Sequence, residues 1–253
     1  MTFRRQDAVP IYGNYHGYYS KRPLSEDRRL ALLPKDLFEG ARVLDVGCNE
    51  GLVTCHIAQS LGARKVVGVD IDESLITAAW KRRRSAWSQQ EPSEEQISSP
   101  SRALRPDYFP ASSEHMFGPL PIPTPKPRLD AFPQNLIFKH ADWVTTEIAE
   151  DAEGYGVVVA FSVSKWIHLN SGDEGLLQFF HRVHTVLCPG GAFVLEPQPW
   201  DTYAKAKRMD AVRKLRSTAN GLKMRPEDFP RLLREIGFGD VEHRGETGEG
   251  GEI

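Results

Sequence analysis

A chain of 253 residues with a net charge of −2 at pH 7 is long enough for one α/β domain with a large core, and it carries no global positive field that would announce nucleic acid. Its cysteines, Cys48, Cys55 and Cys188, supply neither a disulfide framework nor a paired metal-ligand spacing, so a reducing compartment is the simple reading and no metal site is expected. There is no leading apolar segment and no apolar run long enough to cross a bilayer, so neither secretion nor membrane spanning is expected.

Residues 1–25 are rich in Tyr, Gly and Arg and show no periodicity. Glu26 to Leu33 predicts a short helix stopped by Pro34. Arg42–Val46 predicts the first strand and Leu52–Leu61 a helix, on the spacing of Leu52, Ile57, Ala58 and Leu61. Lys65–Val69 predicts the second strand, and Ser74–Trp87 a helix carrying the basic run Lys81–Arg84. From Ser88 to Pro133 the chain holds ten of its eighteen prolines, which predicts neither a packed helix nor a central strand. This stretch reads as a disordered or polyproline-like insertion, tolerated as a surface loop, with partner binding as the alternative. Leu136–Lys139 predicts the third strand, and the near-continuous apolar run Tyr155–Phe161 a central parallel strand buried on both faces. Asp173–Leu187 predicts a helix broken by Cys188-Pro189-Gly190-Gly191, and Ala192–Glu196 the fifth strand. Thr202–Ser217 predicts a basic helix, and Pro226–Ile236 a last helix ended by Gly237. The alternation implies a single α/β domain over 1–253, with a doubly wound, mostly parallel sheet.

The chemistry gathers at Val43-Leu44-Asp45-Val46-Gly47-Cys48-Asn49-Glu50-Gly51 and Val66-Val67-Gly68-Val69-Asp70-Ile71-Asp72. An apolar run ends in an acid and a Gly-x-x-x-Gly loop, and a second apolar run ends in another acid. That is the nucleotide-binding start of a βαβ unit. A glycine there admits close backbone approach, and Asp70 can hold both hydroxyls of a ribose. The missing third glycine argues against NAD, and the pattern resembles motif I of S-adenosylmethionine-dependent methyltransferases. In this reading Gly47, Cys48 and Asn49 line the methionine moiety, with Gly51 completing the loop. Ile71 and Trp143 sandwich the adenine, Asp142 accepts its exocyclic amine, and Asp45 orients the loop from below. The competing reading is a βαβ turn with no ligand. Nothing nearby marks Cys48 as an activated thiolate.

Three further strings have no evident packing explanation. They are Tyr12-Gly13-Asn14-Tyr15-His16-Gly17-Tyr18-Tyr19, Ser164-Lys165-Trp166-Ile167-His168-Leu169-Asn170 with Gly172-Asp173-Glu174-Gly175, and Leu195-Glu196-Pro197-Gln198-Pro199-Trp200. With motif I they closely resemble the bicoid-interacting-protein-3 family of RNA methyltransferases, from about Tyr12 to Pro230. The resemblance implies a Rossmann-like class I methyltransferase that uses S-adenosyl-L-methionine to methylate the terminal γ-phosphate of a small non-coding RNA. The lysine before the tryptophan is closer to the capping branch of the family than to the branch acting on RNA 5′-monophosphates. By position, Tyr19 and Arg29 would help bind the methyl donor, with Phe161 completing its pocket, and the segment 1–33 would close over the site. Two departures stand out. The family pattern at Asp142-Trp143 is expected to be Asn-Tyr, and the last strand of the sheet is expected to be missing after Gly237, which would leave an open edge.

A terminal phosphate is already anionic at neutral pH, so no general base is needed. The reaction needs in-line placement and donors that hold a polyanion. Lys21, Arg22, Lys165 and the hydroxyls of Tyr15 and Tyr18 are the candidates, with His168 behind them; Gln198 and Trp200 are read as a wall of the RNA pocket. Packing on the core is the alternative for His168, Trp166 and Trp200, and a solvated charge pair for Lys21 and Arg22. The stretch 202–226 sets eight Lys and Arg against Asp210 alone, and reads as an RNA-tracking surface rather than a merely solvated face. The family implies a monomer with an RNA partner and ribonucleoprotein proteins around it, nuclear and also cytoplasmic. An RNA-binding subunit with little turnover and a small-molecule methyltransferase are the competing functions.

Overall fold

The computed structural model describes residues 12, 13, 15, 27–90, 109–122, 130–209 and 221–245. Five strands, β1 (Arg42–Val46), β2 (Lys65–Asp70), β3 (Leu136–His140), β4 (Tyr155–Phe161) and β5 (Leu187–Glu196), form one sheet in the order β3-β2-β1-β4-β5. Every pairing is parallel, with Leu44 beside Val67 on one flank and Val158 on the other. β1 is buried at all five positions, as a strand covered on both faces must be. That burial takes in Arg42, whose Nε and Nη2 donate to the carbonyls of Gly154 (3.0 Å) and Glu150 (2.7 Å). The guanidinium is thereby satisfied by backbone, which a buried charge requires.

Helices α2 (Leu52–Ser60) and α3 (Glu73–Gln89) cover one face, packing Ile57, Val53 and Ala79 against Val43, Val66 and Phe138. The other face takes α5 (Ser164–Val186) and α7 (Phe229–Ile236), whose Phe179, Phe180, Val183 and Phe229 meet Leu44, Val67 and Val158. Asp72 caps α3, accepting from the backbone N–H of Ser74 (2.8 Å) and Leu75 (3.3 Å). The described residues also include α1 (Arg28–Ala31), α4 (Ala111–Phe117) and α6 (Asp201–Met209).

Three expectations change. The helix expected from Asp173 is there, but α5 also holds an earlier helical piece from Ser164, because the loop after β4 is itself helical; Gly172, at φ 72° and ψ −173°, separates the two pieces. β5 begins at Leu187, so Cys188–Gly191 continues the edge strand instead of ending a helix. The proline-rich stretch does contain a helix, α4, in a proline-free window between Pro110 and Pro119. Its Glu114 ties it to α3, accepting from Gln89 Nε2 (2.6 Å) and from the Ser85 hydroxyl. Residues 91–108 and 123–129 of that stretch lie outside the described residues, as do 210–220 of the basic segment. Among the described residues no strand follows β5, which forms an edge of the sheet.

Candidate active site

The strand order reverses between β1 and β4, and in such sheets the crevice opens beyond the carboxyl ends of the strands at that reversal. A cavity of about 320 Å³ lies there, lined by the ends of β1, β2 and β4, the start of α5, and Tyr12, Gly13 and Tyr15 from the N-terminal segment.

One wall is made of backbone. The N–H groups of Gly47 and Cys48 both donate to the carbonyl of Val69, at 2.8 and 3.1 Å, pinning the loop onto β2. Gly47 has φ 78°, and a Cβ there would stand 2.9 Å from Val163 Cγ2. Asn49, itself at φ 51°, donates its backbone N–H to Asp70 Oδ2 (2.8 Å) and its side-chain amide to the Tyr15 carbonyl (3.3 Å). Asp70 Oδ1 accepts from the N–H of Asp72 (3.0 Å). Burial raises the Asp70 pKa, and the backbone N–H groups oppose the rise. The result is a carboxylate with fixed orientation facing the cavity.

Three motif residues serve this wall from behind. Asp45 accepts from Thr54 Oγ1 (2.7 Å) on α2, and burial pushes its carboxyl up to about 6. Gly51 begins α2, and a Cβ there would meet the Phe138 ring at 2.7 Å. The Cys48 side chain is turned away from the cavity and packs in the core; burial pushes its thiol well above the ordinary range. The expected contact of Cys48 with the methionine moiety is therefore reduced to its backbone.

The adenine wall needs a larger correction. Ile71 and the run Ala141–Val144 line the cavity, but the Trp143 ring is built into the core. Its Nε1 donates to Asp151 Oδ2 (3.1 Å), Arg182 sits 4.4 Å over its ring, and Phe179 meets its edge. A ring occupied in this way cannot sandwich an adenine. Asp142 lines the cavity and shapes the turn, accepting from Val144 N–H (3.2 Å) and Thr145 Oγ1 (2.9 Å), with one further lone pair left on each oxygen.

The opposite wall is made of side chains from distant parts of the chain. Buried Arg29 on α1 lies 4.5 Å over the Phe161 ring and donates through Nη1 to Glu196 Oε2 (2.8 Å) and through Nε to Asp27 (2.8 Å). Glu196 also accepts from Ser162 Oγ (2.6 Å). Lys165 stands in the first turn of α5, where N–H groups and the helix dipole favour anions. Its Nζ donates to Thr202 Oγ1 (3.2 Å), and its backbone N–H donates to Gln198 Oε1 (3.3 Å). Burial pushes the Lys165 ammonium down to about 8; Asp201 opposes the shift and Lys205 adds to it. Gln198 is itself anchored, donating to the Ser162 carbonyl. Tyr15 meets Trp166 edge-on at 5.8 Å.

The structure thus brings Tyr15, Arg29, Gly47, Asn49, Asp70, Ile71, Phe161, Lys165 and Gln198 to one cavity. His168 is not among them: it is fully buried, and burial lowers its pKa. Trp200, expected as a wall of the RNA pocket beside Gln198, is not among the residues lining the cavity and packs against Arg225 and Tyr203 instead. Tyr18, Tyr19, Lys21 and Arg22 lie outside the described residues. Sequence reasoning gave no role to Tyr12, Gly13, Glu196 or Thr202, although the first three stand inside the quoted strings. A Cβ on Gly13 would fall 2.3 Å from the Trp166 ring, which explains that glycine by close packing.

Comparisons with known proteins place this geometry in a family. The Bicoid-interacting protein 3 (Bin3) family model matches residues 155–252, and a methyltransferase-domain model matches residues 43–102. The chain is 36% identical to the 7SK snRNA methylphosphate capping enzyme of Mus musculus, over 95% of this chain and 39% of that protein. It therefore spans about two fifths of the length of that relative. A probable RNA methyltransferase of Arabidopsis thaliana is 36% identical, over 94% of this chain and 76% of its own length. Among solved structures, the N-methyltransferase NodS from Bradyrhizobium japonicum WM9, crystallised with S-adenosyl-L-homocysteine, shares the fold at TM-score 0.51 and 14% identity, covering 91% of this chain and 84% of that one. With a fold shared across methyltransferases and more than a third of its residues identical to the Arabidopsis relative over most of both chains, the protein belongs to the Bicoid-interacting protein 3 family.

Proposed function

We propose that the protein is an S-adenosylmethionine-dependent methyltransferase acting on the 5′-terminal γ-phosphate of a small non-coding RNA. The observation that carries this reading is that Asp70, at the end of β2, and Lys165, in the first turn of α5 after β4, line the same cavity, with β1 between their strands. One wall suits a nucleoside and the other a polyanion.

The residues present fit the methyl donor. A Cβ at Gly47 would close the loop against Val163, so the glycine keeps a cradle open, and the cavity has the size of small-molecule sites. Asp70 would take the ribose hydroxyls, Gly47 and Asn49 would flank the methionine moiety, and Ile71 with Ala141 and Val144 would enclose the adenine. Bound there, S-adenosylmethionine supplies an electrophilic methyl group.

The chain's own work is positional. A phosphate oxygen anionic at neutral pH attacks without a base, which accords with a His168 sealed in the interior. Lys165 holds the phosphate by charge and N–H donation, and Gln198 fixes the backbone from which Lys165 projects. Phe161, Trp166, Tyr12 and Tyr15 give the site aromatic walls. The same proposal carries a nuclear, monomeric enzyme that meets its RNA within a ribonucleoprotein.

The test is methyl transfer from labelled S-adenosylmethionine to one RNA prepared with a 5′-triphosphate, a 5′-monophosphate or a 5′-hydroxyl. Transfer to the triphosphate form above the monophosphate form is expected. Equal transfer to 5′-hydroxyl RNA, or absence of S-adenosylhomocysteine binding, overturns the proposal.

A further inference from the structure

His168 and Asp173 are not absorbed by the methyl-transfer site, since neither side chain lines the cavity. Asp173 instead collects three donors: His168 Nε2 at 2.7 Å, the Lys223 N–H at 2.9 Å and the Met224 N–H at 3.3 Å. Burial raises the Asp173 carboxyl, but those hydrogen bonds outweigh it and hold the group below its ordinary range. A carboxylate that accepts from a side chain on its own helix and two backbone groups fifty residues away is a staple.

The staple is one corner of a closed circuit. The other ring nitrogen of His168 lies 3.2 Å from the Tyr203 hydroxyl. Tyr203 stacks on Trp200, with centroids 4.6 Å apart and planes 32° from parallel. The Arg225 guanidinium lies 4.0 Å over the Trp200 ring, and Arg225 follows Met224, which returns the circuit to Asp173. Arg225 is exposed, so with Trp200 at its back its outward face is open to solvent. The circuit adjoins the acceptor wall, because Thr202, two residues from Trp200, lines the cavity and receives Lys165 Nζ.

We propose that Arg225, backed by Trp200, is a stacking platform for a nucleobase beside the 5′ end of the bound RNA, and that Asp173 with His168 is the positioning pair that holds the platform in place. The inference deepens the RNA-methyltransferase reading and rests on it. A guanidinium plane on an aromatic ring offers a base a flat cationic surface while its N–H groups stay free for phosphate. Unstacked bases near RNA ends are recognised on such planes. A lysine at this position would keep the charge and lose the plane.

The experiment measures binding and methylation of a short 5′-triphosphate RNA, intact and with its first two nucleotides abasic, by the whole chain and its variants. Arg225→Ala is expected to weaken binding of the intact RNA roughly tenfold and to erase the difference between intact and abasic RNA. Arg225→Lys should recover only part of that loss. Asp173→Asn should raise KM for RNA in the same direction, leave kcat and S-adenosylhomocysteine affinity near wild type, and combine non-additively with Arg225→Ala. Tyr203→Phe, which deletes one hydroxyl, gives a milder version if Asp173→Asn does not fold. Full rescue by Arg225→Lys, or equal wild-type binding of abasic and intact RNA, overturns the platform. A parallel fall in S-adenosylhomocysteine affinity in Asp173→Asn overturns the positioning pair. Wild-type binding of RNA without methylation would count against the methyltransferase reading alone, since the base-dependence arm is read from binding.

Discussion

The two walls of the cavity are built by different means. The donor wall comes from short contiguous segments at the ends of neighbouring strands, and its contacts are largely backbone ones: Gly47 and Cys48 N–H on Val69, Asn49 and Asp72 N–H on Asp70. The acceptor wall is assembled from side chains far apart in sequence, as in the Arg29–Glu196 pair, 167 residues apart, and the Lys165–Thr202 contact. Backbone geometry is a property of the fold and is reused wherever the fold recurs. Side-chain geometry must be supplied afresh for each acceptor. In the proposed function the donor wall accordingly sets what the fold would bind, and the acceptor wall what would be modified.

Substitutions that act on one wall and spare the other would sharpen this contrast. The largest effect is expected at Asp70→Ala, which removes the ribose acceptor and strands two buried N–H groups. A loss of about 3 kcal/mol, near 100-fold in S-adenosylhomocysteine affinity by calorimetry, is expected. Retained affinity would break the assignment of that wall. Next is Lys165→Met, with roughly a 30-fold fall in kcat/KM for RNA and S-adenosylhomocysteine affinity within about twofold of wild type. The Lys165 pKa is lowered to about 8, so its ammonium predominates below that pH and is lost above it. Wild-type kcat/KM for RNA should therefore fall as pH rises through about 8, and Lys165→Arg, charged throughout, should remove the fall. A smaller effect is expected at Gly47→Ala, where the left-handed backbone and Val163 oppose a Cβ. About 1–2 kcal/mol should be lost from S-adenosylhomocysteine binding, measured against a melting temperature that moves less. Smallest for the ligand is Trp143→Phe. It should cost about 1 kcal/mol of stability by deleting the N–H to Asp151, yet change S-adenosylhomocysteine affinity less than about twofold. A large loss of affinity there would restore the adenine role that the core packing denies.

The same contrast decides what could be read from sequence. β4 was legible to the residue because a strand buried on both faces is written as a near-continuous apolar run, and β1 because its short apolar core leads into the acid and the glycine loop. Gly47 and Asp70 were legible because their spacing encodes a backbone shape. Trp143 was misread: an aromatic after a strand end looks the same whether it faces a ligand or turns inward, and the carboxylate that turns it, Asp151, sits in an unremarked acidic turn. His168 was left open between a site role and packing for the same reason, and packing holds, since its partners Tyr203 and Asp173 declare themselves only once α6 is folded against α5. Local composition also hid α4, whose window is too short to outweigh the prolines around it.

The left-handed residue Gly172 has a consequence for how such enzymes diversify. Ahead of it, α5 presents Lys165, Ile167 and Asn170 to the cavity; behind it, Leu176, Phe179, Phe180 and Val183 are locked beneath the sheet. The joint divides the two duties without severing them, because the buried His168 bonds Asp173 across it at 2.7 Å. Any re-aiming of the forward piece toward another ligand must carry that pair with it, so the interior takes part in the change.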